Sequence, residues 1–166
     1  MAATAAARYG LKAGMRVLDI GCAKGFLVYD LMQEVPGLEA YGLDISTYAL
    51  AHAKPEVVDR LTLGDAAALP FADGSFDAVF SINTIHNLDR DGCLTALREM
   101  NRVCTDPRRC FVQVDAYRTP EEKTLFEAWM LTAATYCTPT QWEALFAEAG
   151  YVGDYFWTIL EPTTTD

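Results

Sequence analysis

Short apolar runs along this chain alternate with stretches whose apolar residues recur every three or four positions. That alternation predicts strands and helices in turn. Arg16–Ile20 reads as the first strand. Phe26, Leu27, Tyr29, Leu31 and Met32 then supply one face of a helix over about Gly25–Gln33, ended by Pro36-Gly37. Ala40–Leu43 is the second strand, and Ser46 caps a helix running to about Ala53. Leu61–Gly64 is a short third strand, and Pro70–Gly74 is a turn. Phe76–Ser81 is the fourth strand, with an Ala78-Val79-Phe80 run suited to a central position.

The second half continues the pattern. Asp91–Arg102 is a helix with Leu94, Leu97 and Met100 at helical spacing, and Cys110–Val114 is the fifth strand. Helices follow over Pro120–Ala134 and Thr138–Ala149. Thr138 with Gln141 makes a capping box, Pro139 takes the first helical position, and Gly150 ends the helix. Asp154–Leu160 is a last strand, and Glu161–Asp166 a frayed end. Strand alternating with helix defines an α/β fold, a doubly wound and mostly parallel sheet with helices on both faces. No repeat or linker divides the 166 residues, so 1–166 reads as a single domain.

Apolar residues make up 51% of the chain, which suits a packed core rather than disorder. A formal charge of −10 argues against a nucleic-acid binder, which needs a basic face, and favours a cationic small molecule or plain solubility. The five cysteines are odd in number and show no C-x-x-C spacing, so neither a disulfide framework nor a metal site is expected. A reducing cytoplasm fits best. Met1–Ala7 lacks the pattern of a secretion signal, and no apolar run is long enough for a membrane span.

The candidate chemistry lies in Asp19-Ile20-Gly21-Cys22-Ala23-Lys24-Gly25, a strand end, a tight turn and a helix start. Gly21 permits the sharp turn and a close approach to the backbone. Ala23 stands where a dinucleotide loop needs its second glycine, and Phe26 follows Gly25 where a phosphate loop needs lysine. The loop therefore suits a nucleoside without a phosphate cradle. Asp44 ends the second strand, where an acidic residue accepts from ribose hydroxyls in the Rossmann arrangement. Asp65 ends the third strand. Each aspartate also has a plainer reading: Asp19 and Asp65 as turn formers, Asp44 as a carboxylate at a helix start.

Asp19–Gly25 resembles motif I of the class I S-adenosylmethionine-dependent methyltransferases, in particular the small-molecule, ubiquinone-biosynthesis-like type. Gly64-Asp65-Ala66, Leu69–Asp77 and Ser81–Leu88 resemble the family's third-strand exit, fourth-strand approach and fourth-strand exit. The resemblance implies S-adenosylmethionine as cofactor, held by Asp19, Gly21, Cys22, Ala23, Gly25, Asp44, Ile45, Asp65, Ala66, Ser81 and Asn83. It implies in-line methyl transfer to a small-molecule acceptor. The other reading is a non-catalytic cofactor-binding module or partner subunit of the same fold.

The strand ends place Asn83, His86, Asp115 and Tyr117 near the substrate. His86 is the first candidate base, because an unperturbed imidazole titrates at about 6.5, with packing against the sheet as its plainer reading, and Asp115 is the second. Tyr117 and Tyr136 are candidate substrate contacts, and 118–139 a candidate substrate-side insertion. Phe126, Trp129 and Met130 read as core by their spacing, and Arg118 as a surface charge or carboxylate binder. The family usually ends its sheet with two antiparallel strands. Few residues remain for them here, so a shortened edge is expected, with the last strand missing or supplied by a partner. The short N-terminus allows only one or two helical turns. An edge carrying Phe156, Trp157, Ile159 and Leu160 predicts a homodimer through the C-terminal strand.

Overall fold

A computed structural model describes residues 1–160. The expected frayed end, Glu161–Asp166, lies outside the described residues. Six strands form one sheet: β1 Arg16–Ile20, β2 Glu39–Asp44, β3 Leu61–Leu63, β4 Ala78–Ile82, β5 Cys110–Asp115 and β6 Asp154–Thr158. Their order is β3-β2-β1-β4-β5-β6. The helices are α1 Ala2–Tyr9, α2 Phe26–Glu34, α3 Thr47–Ala51, α4 Arg90–Val103, α5 Pro120–Trp129 and α6 Pro139–Ala149. The expected Rossmann-like, doubly wound architecture is what the chain forms.

The strands take their places because β1 and β4 are buried on both faces. Val17, Leu18, Ala78 and Val79 are fully buried. One face of the sheet packs Leu18, Ile20, Val79, Val112 and Val114 against Leu97, Met100, Trp142 and Phe146 of α4 and α6. The other packs Val17, Ala40, Ala78 and Phe80 against Tyr9, Val28 and Leu31 of α1 and α2. Burial of such side chains contributes roughly 1.5–3 kcal/mol each.

The chain reverses its winding between β1 and β4, and at that switch point the carboxyl ends of the strands open a crevice. All five strand pairings are parallel, β5 with β6 included. Among the described residues β6 is the last strand at this edge, with no antiparallel strand beside it. The crossover through α5 and α6 returns the chain in the same direction as β5.

Several boundaries differ from the sequence reading, each for a local reason. Helix α3 stops at Ala51 instead of Ala53. Pro55 disfavours helical backbone at Lys54. Helix α5 ends at Trp129 rather than Ala134. Beyond it the N–H groups of Ala134 and Thr135 both donate to the His86 carbonyl at 3.0 Å. The Thr135 hydroxyl donates to the Leu88 carbonyl at 2.6 Å. These long-range bonds replace the local helical ones. Trp129, expected in the core, is 65% exposed, while Phe126 is buried as expected.

Candidate functional site

The crevice is a cavity of about 390 Å³ over the ends of β1, β2 and β4. Three exits build it. The first is the turn after β1, where the N–H groups of Gly21 and Cys22 both donate to the Leu43 carbonyl, at 2.7 and 3.1 Å. The second is Asp44. Its Oδ2 accepts from the Ala23 N–H at 2.8 Å, and its Oδ1 from the Ser46 N–H at 2.8 Å. Asp44 thus ties the glycine turn to the start of α3. Each carboxylate oxygen keeps a further lone pair for a ligand. The third is the turn after β4. Asn83 has φ +52 and Ala23 has φ +48, two non-glycine residues in the left-handed region facing the same cavity. Such backbone costs of order 1–3 kcal/mol and gathers at functional sites.

Of the cofactor residues expected from the sequence, Gly21, Ala23, Asp44, Ile45, Asp65, Ala66 and Asn83 line the cavity. Asp65 shapes its own turn as well, its Oδ1 accepting from the Ala67 N–H at 2.8 Å. Asp19, Cys22, Gly25 and Ser81 do not line it. Asp19 is buried, and burial followed by the nearby Asp44 charge pushes its carboxyl up to about 7. Cys22 packs where a Cβ on Gly42 would stand 2.6 Å from its Sγ. Gly25 caps α2 at φ +76, and a Cβ there would stand 2.8 Å from Val57. Ser81 is fully buried and its Oγ has no hydrogen-bond partner among the described residues.

Leu43, Gly64, Ile82, Thr84, Asn87 and Leu88 also line the cavity; all but Leu43 fall in the stretches Gly64–Ala66 and Ser81–Leu88 that carry the family resemblance, without a cofactor role of their own there. Thr84 precedes the 3-10 turn Ile85–Asn87, Asn87 ends it and Leu88 follows it, and that turn has no clear signature in the residues themselves.

His86 and Asp115 meet, but away from this cavity. His86 is almost fully buried, and burial lowers its imidazole to about 4, so the ring is neutral. Its Nδ1 accepts from the Asp115 N–H at 3.3 Å, which assigns the proton to Nε2. Nε2 lies 3.4 Å from Asp115 Oδ2. Both ring nitrogens therefore face Asp115. Burial raises the Asp115 carboxyl to about 6, with a hydrogen bond from Thr158 working the other way. Trp142 is buried behind them, its indole N–H donating to the Asp115 carbonyl at 2.9 Å.

Tyr117 and Tyr136 flank Asp115 around a space of only about 10 Å³, room for about one water. Arg118 pairs with Glu122, Nη2 to Oε1, at 2.6 Å. The segment after α5 reaches one residue that lines the crevice, the Thr132 hydroxyl donating to Asn87 Oδ1 at 2.9 Å.

Neither lysine nor arginine lines the crevice, whereas two carboxylates do. That charge disfavours a phosphate there and favours a cation. The fold is an α/β domain of the Rossmann-like class with an acidic crevice at the carboxyl ends of its strands.

Comparison with known proteins gives the family. The model of the methyltransferase domain family matches residues 17–107, more than half of the chain. A demethylmenaquinone methyltransferase of Beutenbergia cavernae is 33% identical over 131 residues, covering 78% of this chain and 52% of that protein. A sterol 24-C-methyltransferase of Gibberella zeae is 34% identical over 99 residues, covering 55% and 26%.

Among solved structures, a Haloferax volcanii protein described as a methyltransferase, in complex with the Trm112 methyltransferase activator, superposes with TM-score 0.72. It is 25% identical, covering 89% of this chain and 66% of that one. A Bacillus subtilis protein, YcgJ, gives TM-score 0.73 at 22% identity, covering 89% and 66%, which speaks to the fold. This chain belongs to the class I S-adenosylmethionine-dependent methyltransferase family. It spans from about a quarter to about half the length of these curated relatives. Among the described residues, no helix is long and apolar enough to cross a membrane.

Proposed function

We propose that this chain binds S-adenosylmethionine in the crevice and transfers its methyl group to a small-molecule acceptor. One observation carries the reading: Asp44 and Asp65 face a cavity that holds no lysine or arginine. Asp44 has lone pairs for both ribose hydroxyls, and Asp65 can accept from the adenine amino group. The cavity size falls within the ~300–1,000 Å³ of small-molecule sites. A net charge of −10 disfavours a nucleic-acid acceptor.

When bound, the cofactor supplies an electrophilic methyl group on a sulfonium. The protein's share is positioning and exclusion of water, worth at most about 7–11 kcal/mol by effective-molarity arguments. Where the acceptor carries a proton, Asp115 is the group suited to take it. Its carboxyl titrates at about 6, near working pH. His86 stays neutral and positions Asp115 through both ring nitrogens.

The test is transfer of labelled methyl from S-adenosylmethionine to a panel of phenols, quinols and amines. The expected result is turnover with at least one neutral acceptor. Asp115→Asn should lower kcat by roughly 10²-fold or more for protonated acceptors and leave cofactor affinity in place. Cofactor binding without turnover across the panel would favour a non-catalytic binding module.

A further inference from the structure

A larger cavity, about 560 Å³, lies on the face of the sheet that α1 covers. Its floor is Phe80 and Ile82 of β4, Phe111 and Gln113 of β5, and Phe156 of β6. Register makes these one continuous surface. Phe80 pairs with Phe111, Ile82 with Gln113, and Gln113 with Phe156. Helix α1 supplies the opposite wall, with Ala5 facing the cavity. Phe156 is 57% exposed, an apolar ring left in water at the cavity rim.

The side-chain charges at this cavity cancel. Arg8 and Asp154 are its charged side chains. Arg8 Nε and Nη2 each donate to an Asp154 oxygen at 2.9 Å, and the Tyr9 hydroxyl donates to Asp154 at 2.8 Å. An occupant therefore meets apolar rings and a neutralised pair, which suits a neutral molecule rather than an ion.

The cavity also adjoins the crevice. Ile82 borders both spaces. At the same end, Gln113 Nε2 donates to Thr158 Oγ1 at 3.0 Å, and the Thr158 hydroxyl bonds onward to Asp115. Gln113 at that end is thus linked through Thr158 to Asp115, which itself lines neither space. The space beside Tyr117 and Tyr136 is about 10 Å³ and cannot hold an organic molecule.

We propose that the cavity between α1 and β4–β5–β6 is the acceptor site, and that it takes a neutral, largely apolar molecule seated on Phe80, Phe111 and Phe156. The acceptor's reacting end lies at Ile82 and Gln113. This rests on the methyl-transfer reading above.

The experiment titrates the neutral fluorescent probe N-phenyl-1-naphthylamine into the full chain, with and without S-adenosylmethionine, and measures cofactor binding separately by calorimetry. Ala5→Trp fills the cavity from the helix side, and Phe156→Gln removes a ring from an exposed position without disturbing the core. Saturable binding of one probe is expected, weakened about tenfold in either variant, with cofactor affinity unchanged. Bound cofactor should shift the probe affinity about threefold or more, because Ile82 is shared.

No saturable probe binding, or equal binding in wild type and both variants, would overturn the proposal. So would a dimer of the wild type that both variants dissociate and that takes no probe, since a second copy would then be the occupant. Loss of cofactor binding in the wild type with the probe still bound would instead overturn the methyl-transfer reading and leave the apolar site standing.

Discussion

Thr84 occupies the space that a side chain at position 21 would need. A Cβ on Gly21 would run into Thr84 Oγ1 and Cγ2 and stand 2.6 Å from Thr84 Cβ. Gly21 also has φ +79, which L side chains rarely adopt. The glycine is thus required by the exit of β4 as much as by any ligand. Gly21→Ala should cost about 2 kcal/mol or more in denaturant unfolding. Thr84→Gly in the same chain should recover about 1 kcal/mol of it, the steric share, while the φ share remains. Strict additivity of the two substitutions would refute the contact.

Asp19 makes folding stability depend on pH. Its carboxyl titrates at about 7 in the folded chain, raised by burial and then by Asp44, against about 4 when unfolded. Between those values the folded state holds the extra proton, so stability falls as pH rises through about 4 to 7 and levels above. Asp115, raised to about 6, acts in the same direction, and His86, lowered to about 4, acts against both. The contribution of Asp19 is therefore read as a difference. Asp19→Asn should gain melting temperature relative to wild type progressively across that window. A constant difference at all pH values would contradict the assignment.

Arg102 fastens the wall of the crevice that carries Asp65. Its guanidinium donates to both Glu99 oxygens at 2.7 Å, to Asp73 at 2.7 Å, and to the carbonyls of Phe71 and Leu69 at 2.8 and 3.1 Å. Glu99 in turn accepts from the Leu69 N–H at 2.9 Å. Lysine keeps the charge and loses the fork. Arg102→Lys should weaken cofactor affinity by roughly three- to tenfold, through the loss of about 1 kcal/mol of hydrogen bonding. It should leave kcat at saturating cofactor near the wild-type value and speed hydrogen exchange over residues 65–73. Unchanged affinity, or a parallel fall in kcat, would show that the strap does not position the site.

The parts of the site that were legible in the sequence sit at the ends of apolar strands. Asp44 and Asp65 follow such runs directly, so the strand pattern alone places them at the crevice. Gly21 and Ala23 were legible for the same reason. What the sequence hid depends on backbone direction after the strand. Thr84, Asn87 and Leu88 face the crevice because Asn83 takes φ +52 and a 3-10 turn follows. That same turn sends the His86 ring into the core against Asp115, the plainer of the two readings its position after β4 allowed. The end of α5 was hidden because bonds to His86 and Leu88, far away in the chain, outweigh helix propensity. The apolar cavity was hidden too. Phe80 and Phe111 read as ordinary strand interior, and only the placement of α1 leaves part of their face uncovered.

Calorimetric titration of S-adenosylmethionine into the wild type and into Asp44→Asn reads the cofactor site itself. Asn keeps one acceptor oxygen for the Ala23 and Ser46 amides but loses the charge and half of the accepting capacity. One site per chain is expected in the wild type, with binding at least about tenfold weaker in the variant, the loss of one charge-assisted hydrogen bond. A wild type that gives no heat of binding up to millimolar cofactor, or a variant that binds as tightly as the wild type, would contradict the assignment of the crevice to the cofactor.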